Sequence, residues 1–306
     1  MRAPTRSRVV ASGSPLTRLI SALVIVACVV GCQPSSDKDQ AYTEQLAKAH
    51  KGDSPTPTAA TAERPALEVA TQSVVYGTVK GRPVSGHLAY PVEAHGALPA
   101  IMVFHEWWGL NDNVKTMADR LAGQGYVVLA LDMFGGEVAT TPDQAKALIS
   151  KAFADDEALA ANIRAALAYM EKETPASSIA TLGWCFGGAL SFRTATMFPD
   201  KLAATVIYYG HIDSDPQVLE PLKMPILGIF GGADDSIPVS GVREFEKNLH
   251  QLGKEAEVLV FDGAGHAFAN PSGQSYQAAA AEAAWQKTLS FLDRHLNQAI
   301  YQAPPP

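Results

Sequence analysis

From residue 100 onward, short apolar runs alternate with stretches of helical periodicity. Runs 100–105, 126–131, 179–183, 204–209, 226–230 and 258–261 are rich in Val, Ile, Leu and Phe, and several are apolar at nearly every position, as strands buried on both faces should be. Between them, Val114, Met117, Ala118 and Leu121 share one helical face. So do Leu159, Ile163, Leu167 and Met170, then Val242, Phe245, Leu249 and Leu252, and last Trp285, Leu289, Leu292 and Leu296. Thr141-Pro142-Asp143-Gln144 supplies an N-cap, a first-turn proline and a capping-box glutamine, so a helix starts there. Two β-rich runs, 73–79 and 84–90, precede the alternation. The pattern predicts an α/β fold with a mostly parallel central sheet and helices on both faces. With 47% hydrophobic residues, the chain has enough apolar surface to bury such a sheet. In sheets of this kind the chemistry gathers at the carboxyl ends of the strands.

At the end of run 179–183 stands Gly183-Trp184-Cys185-Phe186-Gly187-Gly188, with a helical run after it. This G-x-C-x-G is a nucleophile elbow carrying sulfur in place of a serine oxygen. Glycines two positions before and after leave room for a strained turn. The elbow is expected to set the sulfur at a helix amino terminus, which favours the thiolate. The Phe186 N–H is a candidate oxyanion donor. Further on, run 226–230 leads into Gly231-Gly232-Ala233-Asp234-Asp235, and run 258–261 leads into Asp262-Gly263-Ala264-Gly265-His266. The order is nucleophile, acid, histidine, as in α/β-hydrolases. His266 is the candidate base for Cys185, and either Asp234 or Asp235 could orient it.

These pieces, with His105-Glu106-Trp107-Trp108-Gly109-Leu110-Asn111 after run 100–105, resemble the dienelactone hydrolase family over about residues 70 to 298. The resemblance implies the α/β-hydrolase fold and hydrolysis of a carboxylic ester or lactone by a Cys-His-Asp triad. The family's G-G-x-D pattern selects Asp234. The resemblance also implies that Glu106 contacts the cysteine at rest and swings as substrate binds, helping to generate the thiolate, and that the Trp107 N–H is the second oxyanion donor. No cofactor is implied.

Other sites find less support. His105-Glu106 would need a histidine at 109 to complete H-E-x-x-H, and Gly109 stands there. His105, His211 and His266 are not expected to assemble a metal site, and no glycine-rich nucleotide motif is present. Family members that act on dienelactone hold its carboxylate with two arginines, one shortly after the histidine motif. Here that position is Asn270, and between Asp132 and Ile163 the only cations are Lys146 and Lys151. A lysine point charge replaces a bidentate clamp poorly, so an ester or lactone other than dienelactone is expected. The alternatives are a broad carboxylesterase or thioesterase, and a non-catalytic binding module.

The amino terminus reads as an address. Arg2, Arg6, Arg8 and Arg18 precede the apolar run 19–30, which is shorter than the about 20 residues a membrane span needs. Val29-Val30-Gly31-Cys32 resembles a bacterial lipobox, with Cys32 lipidated after cleavage; a signal anchor or an ordinary signal peptide are the plainer readings. The expected organisation is a signal peptide over 1–31, a lipidated cysteine and flexible tether over 32–68, the hydrolase domain over 69–300 and a Pro-rich tail over 301–306. A short helix near residues 42–49 is compatible with the tether. The protein would then be an exported envelope lipoprotein on the periplasmic side, a monomer by preference, touching the membrane only through lipid. Cleavage removes the four arginines and leaves 20 basic against 31 acidic residues, a formal −11. That charge offers nothing to nucleic acid.

Overall fold

The computed structural model describes residues 37–56, 64–93 and 96–297. The expected signal, Cys32 and the Pro-rich tail lie outside these residues. No described helix is long and apolar enough to cross a membrane.

Eight strands form one sheet: β1 (Val69–Val79), β2 (Arg82–Pro91), β3 (Leu98–Phe104), β4 (Val127–Leu131), β5 (Ala176–Trp184), β6 (Ala204–Tyr208), β7 (Ile226–Gly231) and β8 (Ala256–Phe261). Their spatial order is β1-β2-β4-β3-β5-β6-β7-β8. β1 and β2 form an antiparallel hairpin, and β2 pairs antiparallel with β4. Every pairing from β4 to β8 is parallel. The hairpin turns on Lys80 and Gly81, both with positive φ, the backbone a two-residue type I′ loop requires. The six parallel strands are those read from the apolar runs, and β3, β4 and β7 are buried at nearly every position because both their faces are covered.

Helices follow the strands: α2 (Asp112–Ala122), α3 (Pro142–Phe153), α4 (Asp156–Glu173), α5 (Phe186–Met197), the short α6 (Pro216–Leu219), α7 (Val239–Gln251) and α8 (Ala278–Leu296). Helix α2 packs on the β2 and β4 side of the sheet's order, and α5 on β5 and β6 at its centre. Arg120 of α2 lies over the Trp285 ring of α8, 4.6 Å from its centroid. As expected, α3 is capped by Thr141, whose hydroxyl receives the Gln144 N–H at 3.4 Å.

One expectation is corrected. Residues 37–56 are not a free spacer: Asp37–Ala49 form α1, and the chain beyond it is folded onto the body of the domain. Tyr42, Leu46 and His50 recur every four residues, so they share one helical face, and all three are buried. The Tyr42 and Phe153 rings meet tilted across the α1–α3 contact, with centroids 6.5 Å apart, and Lys146 of α3 pairs with Glu44 of α1 at 2.6 Å. The abundance of Ser, Thr, Pro and charge around this stretch masked that stripe.

Candidate active site

Cys185 sits between β5 and α5 with φ +58° and ψ −119°, a conformation that L-residues with a β-carbon rarely adopt. The glycines around it are required by contact. A Cβ at Gly183 would lie 2.1 Å from the Gly187 carbonyl oxygen, and one at Gly187 would lie 2.2 Å from that of Phe104. The turn is pinned from outside by the Cys185 N–H, which donates to the Tyr208 carbonyl at 3.0 Å.

The elbow was expected to favour a thiolate, and here burial wins. The sulfur is fully enclosed, and desolvation, with the Glu106 carboxyl beside it, pushes the thiol well above its usual range. The backbone N–H groups of Phe186 and Trp107, the two amides expected as oxyanion donors, oppose that shift.

His266 is brought to the same place by the loop after β8. Its Nδ1 lies 2.7 Å from Asp234 Oδ2, and the other Asp234 oxygen accepts the N–H groups of Ser236 at 2.8 Å and Ile237 at 3.1 Å. Of the two adjacent aspartates, Asp234 is buried beside the histidine and Asp235 is exposed. His266 Nε2 is buried and has no hydrogen-bond partner among the described residues.

The position beside the sulfur is taken by a residue that sequence reasoning left out. His50, just past α1, approaches Cys185 Sγ with Nε2 at 3.4 Å, while its Nδ1 lies 2.8 Å from Asp53 Oδ2. Its ring stacks on Trp107 with centroids 4.3 Å apart. Burial holds the His50 pKa down at about 4, so the imidazole is neutral. The signal that could have exposed it is the Tyr42-Leu46-His50 spacing followed by Asp53.

Glu106 is oriented otherwise than the resemblance implied. Its carboxyl accepts from the Tyr209 hydroxyl at 3.3 Å and from the Asn270 side-chain amide, and the side-chain hydrogen bond at Cys185 goes to His50. Enclosure raises the Glu106 pKa to about 8, although part of the residue also lines a small pocket with Asn113, Met117, Trp184 and Asn270. Asn270, standing where a clamp arginine was sought, thus holds Glu106. Lys146 and Lys151 are engaged in surface ion pairs with Glu44 and Glu137. His105 is structural: Nδ1 bonds the Glu106 carbonyl and Nε2 accepts the Met133 N–H at 3.1 Å. His211 packs against Tyr42.

Sheet order, elbow and the strand-end loops carrying Asp234 and His266 define an α/β-hydrolase. Residues 84–296 match the dienelactone hydrolase family, and the chain belongs to it. A provisionally named carboxymethylenebutenolidase of Aquifex aeolicus is 32% identical over 223 residues, covering 71% of this chain and 95% of that protein. A crystal structure from Klebsiella pneumoniae, provisionally named a dienelactone hydrolase, superposes with a TM-score of 0.66 at 25% identity, covering 74% of this chain and 99% of that one. A dienelactone hydrolase-like promiscuous phosphotriesterase from metagenomic libraries shares the fold, with a TM-score of 0.67 at 23% identity over 74% of this chain and 98% of its own. The chain is accordingly a hydrolase of the carboxylic ester class.

Proposed function

We propose that the protein hydrolyses a small carboxylic ester or lactone with Cys185 as nucleophile, His266 as base and Asp234 as the group that orients the histidine. The observation that carries this reading is the His266–Asp234 pair, buried beside a sulfur on a strained elbow. His266 Nε2 takes the thiol proton as the sulfur forms its bond to the carbonyl carbon. The resulting oxyanion is met by the N–H groups of Phe186 and Trp107, both of which already favour negative charge at the sulfur. The leaving alcohol carries off the proton from His266. Water, deprotonated by the same nitrogen, then cleaves the thioester and restores the thiol. Substrate reaches the sulfur only when His50 moves aside. Glu106, held by Tyr209 and Asn270, can rotate toward the sulfur and help it shed its proton.

The missing arginine clamp favours neutral esters or lactones over dienelactone, with Asn270 at the position where one arginine was sought. Initial rates on aromatic acetates, small lactones and acyl thioesters test the reading. Activity on one class that disappears in Cys185→Ala supports it, and full activity in that variant refutes it. The reading extends to export through residues 1–31 and lipidation at Cys32. Palmitate labelling of the full chain in a bacterial host, lost in Cys32→Ala, checks that part.

A further inference from the structure

The hydrolase chemistry needs one histidine at the sulfur, and the chain presents two. Among the described residues, Cys185, His50 and His266 each bring one ligand-type atom to a common point, all within 4.8 Å of one another. Both imidazoles are prepared alike. His50 Nδ1 is tied to Asp53, whose second oxygen takes the Gln274 N–H at 2.8 Å, and His266 Nδ1 is tied to Asp234, itself anchored by two backbone amides. A carboxylate on Nδ1 fixes the proton there, leaves the Nε2 lone pair free and raises its basicity, which is how metal-ligating histidines are held. The two rings are nearly perpendicular, 87° apart, so their free nitrogens converge from different directions.

We propose that docking of residues 50–53 on the elbow builds a transition-metal site whose protein ligands are the Cys185 thiolate, His50 Nε2 and His266 Nε2, suited to zinc and ions of similar softness. Thiolate with two imidazoles matches zinc, cobalt(II) or cadmium and does not suit magnesium or calcium, which demand oxygen. Around a tetrahedral zinc, bonds of about 2.3 Å to sulfur and about 2.0 Å to nitrogen separate the two ligand atoms by about 3.5 Å. The observed His50–Cys185 separation is 3.4 Å. The widest gap closes with a shift of at most about 1.5 Å. His266 Nε2, buried and unpartnered, gains the partner it lacks. The Asp234 carboxylate, whose field helps keep the proton on the thiol, favours a dication in its place. Binding releases the Cys185 thiol proton to solvent, and no electron is transferred. The ion ties up both the nucleophile and the base, so hydrolysis is silent while it is bound; that consequence alone rests on the proposed activity.

The test titrates the full chain, stripped of metal by chelator, with cobalt(II). One equivalent should bind with thiolate-to-cobalt charge-transfer absorption in the near ultraviolet and visible bands of tetrahedral cobalt, and zinc should bleach both. His50→Ala should weaken binding at least hundredfold, and Asp53→Asn about ten- to hundredfold through the orienting carboxylate. Circular dichroism confirms that each variant is folded, and Asp53→Asn serves alone should His50→Ala fail to fold. No stoichiometric binding, binding without the sulfur band, or equal affinity in parent and variants overturns the site. These readouts are independent of ester hydrolysis, so a chain that hydrolyses no ester when stripped of metal and yet binds cobalt refutes the hydrolase reading and leaves the metal site standing.

Discussion

His50 Nε2 lies 3.4 Å from the sulfur of Cys185, a residue 135 positions further along the chain. The contact seals a thiol that has no surface exposure, and thiolate character and access together set cysteine reactivity. Iodoacetamide should therefore label the native chain slowly at pH 7. His50→Ala opens the sulfur to solvent and lowers the cost of ionising it, so the labelling rate, followed by mass spectrometry at Cys185, should rise at least about tenfold.

The pairing of His266 with Asp234 predicts a sharp contrast between adjacent carboxylates. Asp234→Asn keeps the shape but lets the wrong imidazole tautomer form, and kcat should fall about 10³- to 10⁴-fold. Asp235, exposed on the same loop, makes no described contact with the histidine, and Asp235→Asn should stay within about twofold. Initial rates of the two purified variants on one ester decide the assignment.

The parallel strands, the elbow and the order of Asp234 and His266 were legible because each rests on local signals: continuous apolar runs, a glycine-spaced nucleophile and loops at strand ends. Side-chain direction was not. Nothing in the sequence says that Glu106 turns to Tyr209 and Asn270, because that orientation depends on groups from three separate elements. His50 was hidden for a different reason. Its three-residue apolar stripe sits in a segment whose composition is that of a linker, and only packing against α3 and Trp107 makes it a helix with a buried face. The balance at the sulfur was also misjudged, since the helix amino terminus favours the thiolate but full desolvation outweighs it.

Glu106 predicts a pH-dependent stability. Its native pKa, raised by burial to about 8, exceeds the usual 4.5, so between those values the folded chain keeps a proton that the unfolded chain has lost. Stability from this group is complete below about 4.5 and falls as pH rises toward 8, by at most about 1.4 kcal/mol per pH unit. Glu106→Gln keeps an acceptor for Tyr209 and removes the titration. Urea unfolding at pH 7 and 8, above the range in which His50 titrates, should show a downward slope for the parent that is clearly flatter for the variant.

His50 gives the opposite sign. Burial lowers its docked pKa to about 4 against 6.5 when free; Asp53 and Asp234 partly oppose the shift and His266 adds to it. Below 6.5 the released imidazole binds a proton that the docked one refuses, so attachment of residues 50–53 weakens as pH falls toward 4. Between pH 7 and pH 5 the loss is about 2 kcal/mol. Gln274 holds the same segment through Asp53 and the Gly52 carbonyl, and those bonds do not titrate with the imidazole. Amide hydrogen exchange over residues 46–53 should accelerate about tenfold or more from acid release once the rates are corrected for intrinsic pH dependence. In His50→Gln the corrected rates should be nearly equal at the two pH values. Equal protection at pH 5 and pH 7 in the parent would show that the neutral imidazole is not what secures the segment over the sulfur.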